Sequence, residues 1–179
     1  MNLLRTAPTP VVALGVLALA GALLAGCSPA PEPTPTPTAA FASEEEAFAA
    51  AEETYRAYID AFNAVDLQDP STFEVIHAHT TGDYQADERR QLSELNAEGY
   101  VRTGAIVVTE FTGVSAEGYQ VVARTCEDVS NVDFRDATGS SLVDPDRPST
   151  YALEVTFQAS DGELRISEVE AAEEPSCTG

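Results

Sequence analysis

Residues 151–166 read Tyr-Ala-Leu-Glu-Val-Thr-Phe-Gln-Ala-Ser-Asp-Gly-Glu-Leu-Arg-Ile. Tyr151, Leu153, Val155 and Phe157 alternate with Ala152, Glu154, Thr156 and Gln158, the period of a strand buried on one face and wet on the other. Asp161-Gly162 is the dipeptide of a tight hairpin turn, and Leu164 and Ile166 carry the pattern back. Val169 falls on the opposite parity, so a bulge or the strand end is expected between. A sheet with one apolar face needs a second layer to cover it, and the cover lies upstream.

Ser43-Glu44-Glu45-Glu46 is a capping box: the serine oxygen can accept from the third helical amide, Glu46 can reach back, and three acids suit the positive end of a helix. Phe48, Ala51, Tyr55, Ile59 and Phe62 recur at helical spacing, which predicts a long first helix through about Val65. Asp69-Pro70-Ser71 opens a shorter segment through about His79. Gly82-Asp83 precedes a third helix with Leu92 and Leu95 inward and Gly99 at its end. Beyond Gly99 the period becomes two. Ile106, Val107 and Val108 lie in one β-rich run, Ala116-Glu117-Gly118 is read as a turn, residues 119–125 return, and residues 132–136 form a short strand before a polar loop to Tyr151. Helices first and meandering strands after predict an α+β domain over residues 43–179, with N-terminal helices packed on one face of a curved antiparallel β-sheet.

The start of the chain is of another kind. Arg5 precedes an apolar run over residues 11–24 that contains Gly15 and Gly21. At about fourteen residues it falls short of the roughly twenty a bilayer-spanning helix needs, and it has the layout of a secretory signal. Leu24-Ala25-Gly26-Cys27 then resembles the lipobox of bacterial lipoproteins. The resemblance implies a signal peptide over residues 1–26, cleavage before Cys27 and a diacylglyceryl thioether on Cys27. Two or more acyl chains anchor firmly where one is marginal, so the expected location is the cell membrane, lipid-anchored, facing the extracytoplasmic side. Residues 27–42 are Pro/Thr-rich, with prolines at alternate positions that forbid helix. As an extended polyproline stalk this linker would reach about 45 Å.

The 179 residues carry 30 acidic and 9 basic side chains, a formal charge of −21. Phosphate polymers would be repelled, which excludes nucleic acid as a partner; the acidity is read as a solvated surface that keeps the head soluble. With Cys27 lipidated, Cys126 and Cys177 remain as an even pair in an oxidising compartment, and a disulfide between them is expected. Glu127 and Asp128 beside Cys126 would raise a thiol pKa, which argues against a reactive cysteine.

The long helix with Tyr55, Tyr58 and Phe62, the segment Arg124-Thr125-Cys126-Glu127-Asp128-Val129-Ser130-Asn131-Val132, the Asp136-Ala137-Thr138-Gly139 turn, Arg147-Pro148 before a strand and the final Cys177 together resemble the nuclear-transport-factor-2-like cone, in particular its lipidated actinobacterial members. Glu163-Leu164-Arg165 departs from those lipoproteins, which carry an aromatic after the last hairpin turn. Relatives with this cone include isomerases, cyclases and dehydratases that use the space between helices and sheet, as well as non-catalytic interaction domains, so the resemblance supplies no activity.

His77 and His79 are the only histidines. Two residues apart on a helix they face opposite ways; Glu74 and His77 could share a face, but no third ligand stands at a recognised spacing, so a surface helix end is their expected home and no metal or cofactor is expected. Tyr55, Tyr58, His77, Asp83 and Arg102 are the polar groups available to an acid/base dyad, and none has a spacing that demands catalysis. The expected function is a membrane-anchored, non-catalytic binding or protein-interaction module, with a homodimer through the sheet as one arrangement. The alternatives are a lipoprotein that binds a small apolar molecule in a pocket walled by Tyr55, Phe62, Phe111, Tyr151 and Phe157, and an isomerase- or dehydratase-type enzyme with Tyr58 and His77 in the same pocket.

Overall fold

The structure is a computed structural model that describes residues 40–172 and Cys177. The chain divides into two units, Met1–Pro35 and Thr36–Gly179, and every described residue belongs to the second. The signal segment, Cys27 and most of the Pro/Thr linker lie outside the described residues.

Helix α1 spans Glu44–Ala64. Ser43 Oγ accepts from the Glu46 amide at 3.2 Å, and the Glu46 carboxylate accepts from the Ala42 amide at 2.9 Å. This is the predicted reciprocal cap with its second bond moved one residue out. The helix buries Ala47, Ala51, Tyr55, Tyr58, Ile59 and Ala61, a stripe at the spacing read from the sequence. Its far end is closed by Arg102, whose Nη2 donates to the carbonyls of Phe62 and Asn63 at 2.7 and 3.0 Å, a cation at the negative helix end. A 3-10 turn at Pro70–Thr72 and the one-turn helix α2, Glu74–His77, follow. Helix α3 then spans Gly82–Ala97.

Six strands complete the unit: β1 Val101–Thr103, β2 Val107–Glu117, β3 Gln120–Asp128, β4 Asp133–Arg135, β5 Thr150–Ser160 and β6 Glu163–Ala171. Four of them form an antiparallel sheet in the order β2-β3-β5-β6. The short strand β4 leaves this meander and pairs instead with β1. The first hairpin turns later than the sequence suggested: β2 runs through Glu117, which faces Gln120, so Gly118 and Tyr119 make the turn. The Asp161–Gly162 turn has φ of 55° and 81°, the backbone of a two-residue hairpin whose twist matches its strands.

The parity change before Val169 is a bulge. Thr156 faces Glu168 and Phe157 faces Ile166, so Ser167 is the extra residue and Val169 returns opposite Val155. Two further irregularities interrupt β2, between Val108 and Glu110 and between Gly113 and Ser115; such bulges bend a strand and curve the sheet around what it covers. The helices lie on the face that carries Val121, Ala123, Val155, Phe157 and Ile166, and all of these are buried with α1 in one core. The chain is thus α+β, helices on a curved antiparallel sheet.

Cys126 lies on the other parity of β3 and is joined to Cys177, with Cα atoms 5.7 Å apart. Cys177 is thereby pinned to the sheet face that turns away from the helices. Among the described residues no helix is long and apolar enough to cross a membrane.

Candidate functional site

Aromatic rings fill the space between α1 and the sheet. Tyr55 stands 6.0 Å from Phe111 and 6.4 Å from Phe157, and Phe111 and Phe157 meet edge-on at 6.4 Å. Tyr55 and Phe157 are fully buried. They are packing elements, and the deep apolar pocket they were expected to wall is occupied by their own rings.

Tyr151, also expected on that wall, is instead 38 % exposed. Burial along β5 grows toward the Asp161–Gly162 turn, from an exposed Tyr151 to fully buried Val155 and Phe157. The inward parity of Tyr151 is therefore right, since it lies opposite the buried Glu127, yet its own side chain stays exposed. His77 is corrected in the other direction. It is buried at 5 % exposure, not at a surface helix end, and its Nδ1 lies 3.0 Å from Glu88 Oε2. Glu74, three residues before it on α2, is exposed and pairs with Arg89. His79 is half-buried with its pKa lowered, because burial disfavours the imidazolium more than the nearby Glu88 favours it. Asp83 stands in the first turn of α3, as an acid at a helix start. Among the described residues no three histidines, cysteines or acids gather in a way that could hold a metal ion.

Tyr58 and Phe62, one helical turn apart on α1, face Tyr84, Glu88, Leu92 and Leu95 on α3 across a cleft of about 390 Å³ that Phe134 of β4 closes on one side. The positions on α3 follow from spacing: 84, 88, 92 and 95 form one inward stripe. The hydroxyls of Tyr58 and Tyr84 lie 3.0 Å apart. Burial, with Tyr84 and Glu88 adding, holds the Tyr58 phenol well above its usual range. The Tyr84 phenol is pushed up to about 12 by burial and by the charges of Glu88 and Glu127, against the opposing bond to Tyr58. Both phenols keep their protons near neutrality. Their mutual bond uses only one of the two protons, so one hydroxyl retains a donor.

Glu88 is 7 % exposed. Its Oε2 accepts from Thr80 Oγ1 at 3.0 Å as well as facing His77, but its Oε1 is buried with no hydrogen-bond partner. Buried carboxylate oxygens without a donor are rare and costly. Deeper in the core, Tyr55 donates to Glu127 Oε1 at 2.7 Å, and Glu127 is 5 % exposed with its carboxyl raised in pKa by burial, the Tyr55 bond opposing.

Of the residues singled out in the sequence, the structure brings Tyr58 and Phe62 to the cleft, leaves Tyr55, Phe111 and Phe157 in the core, and sets Tyr151 apart. Tyr84, Glu88 and the inward role of Glu127 were missed. A signal existed for each: Tyr84 and Glu88 precede Leu92 at steps of four, and Glu127 shares its strand parity with Val121, Ala123 and Thr125.

No family model matches the chain, and no curated protein matches it. Solved structures that it is similar to include the intermembrane-space region of chloroplast protein ARC6, at 18% identity over 69% of this chain and 95% of that one, with a TM-score of 0.49. The beta subunit of a candidate aromatic-ring-hydroxylating dioxygenase from Novosphingobium aromaticivorans matches at 12% identity over 71% and 88%, with a TM-score of 0.49. A candidate polyketide cyclase from Pseudomonas putida matches at 16% identity over 69% and 92%, with a TM-score of 0.36. Likenesses this distant assign no activity, and the chemistry rests on the cleft, whose lining holds the paired phenols of Tyr58 and Tyr84, Glu88 with its unpartnered Oε1, and aromatic rings.

Proposed function

We propose that the protein is a membrane-anchored extracytoplasmic lipoprotein whose nuclear-transport-factor-2-like cone is a non-catalytic binding module that takes a small molecule in the cleft between α1, α3 and β4. The observation that carries this reading is Glu88: a buried carboxylate oxygen without a donor, beside a cleft large enough for a small ligand, is a group waiting for a hydrogen-bond partner. The filled aromatic core turns attention from the deep pocket to this cleft. The lipobox-like segment ending at Cys27 supports the anchor, and the alternating prolines support a stalk that holds the cleft away from the bilayer.

The test is a small-molecule screen by NMR on the full chain in detergent. Binders that perturb Tyr58, Tyr84 and Leu95 together support the cleft, and a screen in which no compound moves these residues rejects it. The anchor is checked separately by replacing Cys27 with alanine, which is expected to move the protein from the membrane fraction to the soluble one.

One observation favours a second reading, an enzyme of the isomerase or dehydratase type: ionisable Tyr58, Tyr84 and Glu88 do converge on one cleft. Turnover of any screened compound that disappears in Glu88→Gln would replace the binding module with that enzyme.

A further inference from the structure

We infer that the cleft selects a small organic cation, a protonated primary amine on an apolar body, with Glu88 Oε1 as the acceptor of its N–H. The inference rests on the cleft being the binding site and adds its ligand class. Three features of the cleft point the same way. First, the unanswered group is an acceptor: Glu88 already holds His77 and Thr80 on Oε2, and Oε1, shielded from solvent, has no hydrogen-bond partner. Second, the lining of the cleft includes the rings of Tyr58, Phe62, Tyr84 and Phe134, and ring faces attract cations once water is displaced. Phe62 already carries the Arg102 guanidinium, 4.8 Å from its centroid, which leaves the rings of Tyr58, Tyr84 and Phe134 to a ligand cation. Third, Asp87 and Glu94 line the rim with Arg90 as the one basic side chain, and Arg90 is tied to Asp87 at 2.7 Å. The rim is acidic on a chain of net charge −21, which concentrates cations and disfavours anions.

These features discriminate among cations. A quaternary ammonium satisfies the rings but brings no N–H to Oε1. A neutral alcohol brings a donor but no charge. A primary ammonium meets both needs, and a charge-assisted bond to a desolvated carboxylate is the stronger kind. Leu92 and Leu95 supply the apolar surface for the body of the ligand.

The experiment titrates the full chain in detergent with benzylamine, benzyl alcohol and benzyltrimethylammonium, followed by NMR at Tyr58, Tyr84 and Leu95. Benzylamine is expected to bind tighter than either analogue by roughly tenfold or more, and Glu88→Gln is expected to erase the preference. Leu95→Trp, which fills the cleft and leaves Glu88 in place, should abolish binding and so separates the cleft from the micelle. Should Glu88→Gln fail to fold, the ranking of the three probes on the native protein decides. Equal binding of amine and alcohol in the native cleft would overturn the cation inference and leave the binding module standing. Absence of binding by all three probes would overturn the inference, while binding of other screened compounds at the same residues would still support the cleft.

Discussion

A buried ionisable side chain must be answered locally, and the two carboxylates of this core are answered differently. Glu127 receives the Tyr55 hydroxyl at 2.7 Å, whereas Glu88 keeps one oxygen open. Burial raises the Glu127 pKa, so the folded state holds its proton at pH values where the unfolded chain has lost it. That contribution favours the fold below the ordinary carboxylate range and is lost as pH rises toward the folded pKa. Tyr55→Phe keeps the ring, opens no cavity and removes the donor from the ionised form. We expect it to cost about 2 kcal/mol at pH 7, as for a bond to a charged acceptor, and distinctly less at pH 4, where more of Glu127 is protonated. Denaturant titrations at the two pH values measure this, and an equal cost at both would mean that Tyr55 does not serve a carboxylate. None of this pairing was visible from local sequence, because an acid in a chain with 30 of them reads as surface by default. Strand parity alone marks Glu127 as inward, and only the fold brings position 55 against position 127.

At the scale of elements, the legible parts were those whose signal is local. The capping box, the α1 stripe, the Asp161–Gly162 turn and the bulge before Val169 each follow from residues within a few positions of one another. The two-stranded β1–β4 pair does not: three-residue strands have no period, and their pairing joins Val101 to Arg135 across two intervening strands. Helix α3 is also poorly marked, since its inward stripe mixes Leu92 with Tyr84 and the buried Glu88. Tyr151 shows the limit of periodicity, which gives the face of a strand and not how deeply each side chain on it is buried. The β1–β4 pair depends on Gly104, which leads from β1 toward β2 with φ of 77°; a Cβ there would stand 1.8 Å from the Asn131 carbonyl oxygen. That oxygen and the Asn131 carbonyl carbon, 2.5 Å away, are both backbone, so neither can swing aside. Gly104→Ala is expected to cost about 3 kcal/mol or more from positive-φ strain plus the clash. Because β4 carries Phe134, a wall of the cleft, the same variant should weaken cleft binding. A melting temperature within a degree of the parent would show that the 131 turn is free to move.

The whole molecule is held against two opposing demands, a modest core and a large excess of negative charge. The Cys126–Cys177 bond closes 51 residues, and on the chain-entropy model a loop of that length is worth about 4 kcal/mol, acting through the unfolded chain. The Cys126→Ser, Cys177→Ser double variant is therefore expected to lose about 2 to 4 kcal/mol in a denaturant titration, and no loss would mean that the bridge closes nothing the fold does not already hold. Charge acts in the other direction. Among the described residues six arginines form ion pairs: Arg56–Glu52, Arg89–Glu74, Arg90–Asp87, Arg124–Glu154, Arg135–Asp133 and Arg165–Glu163, and each of these arginines is more than a third exposed. Exposed pairs contribute between nothing and about 1 kcal/mol each, and salt weakens them. The net charge of −21 instead produces repulsion among all the acids, which salt relieves over the same range of distances. Repulsion should win, because the acids outnumber the bases 30 to 9. Raising sodium chloride from about 10 mM to about 150 mM shortens the Debye length from about 30 Å to about 8 Å, and the melting temperature is expected to rise by a few degrees. A fall would reverse the ranking and make the surface ion pairs, rather than the acidic field, the dominant electrostatic contribution to stability.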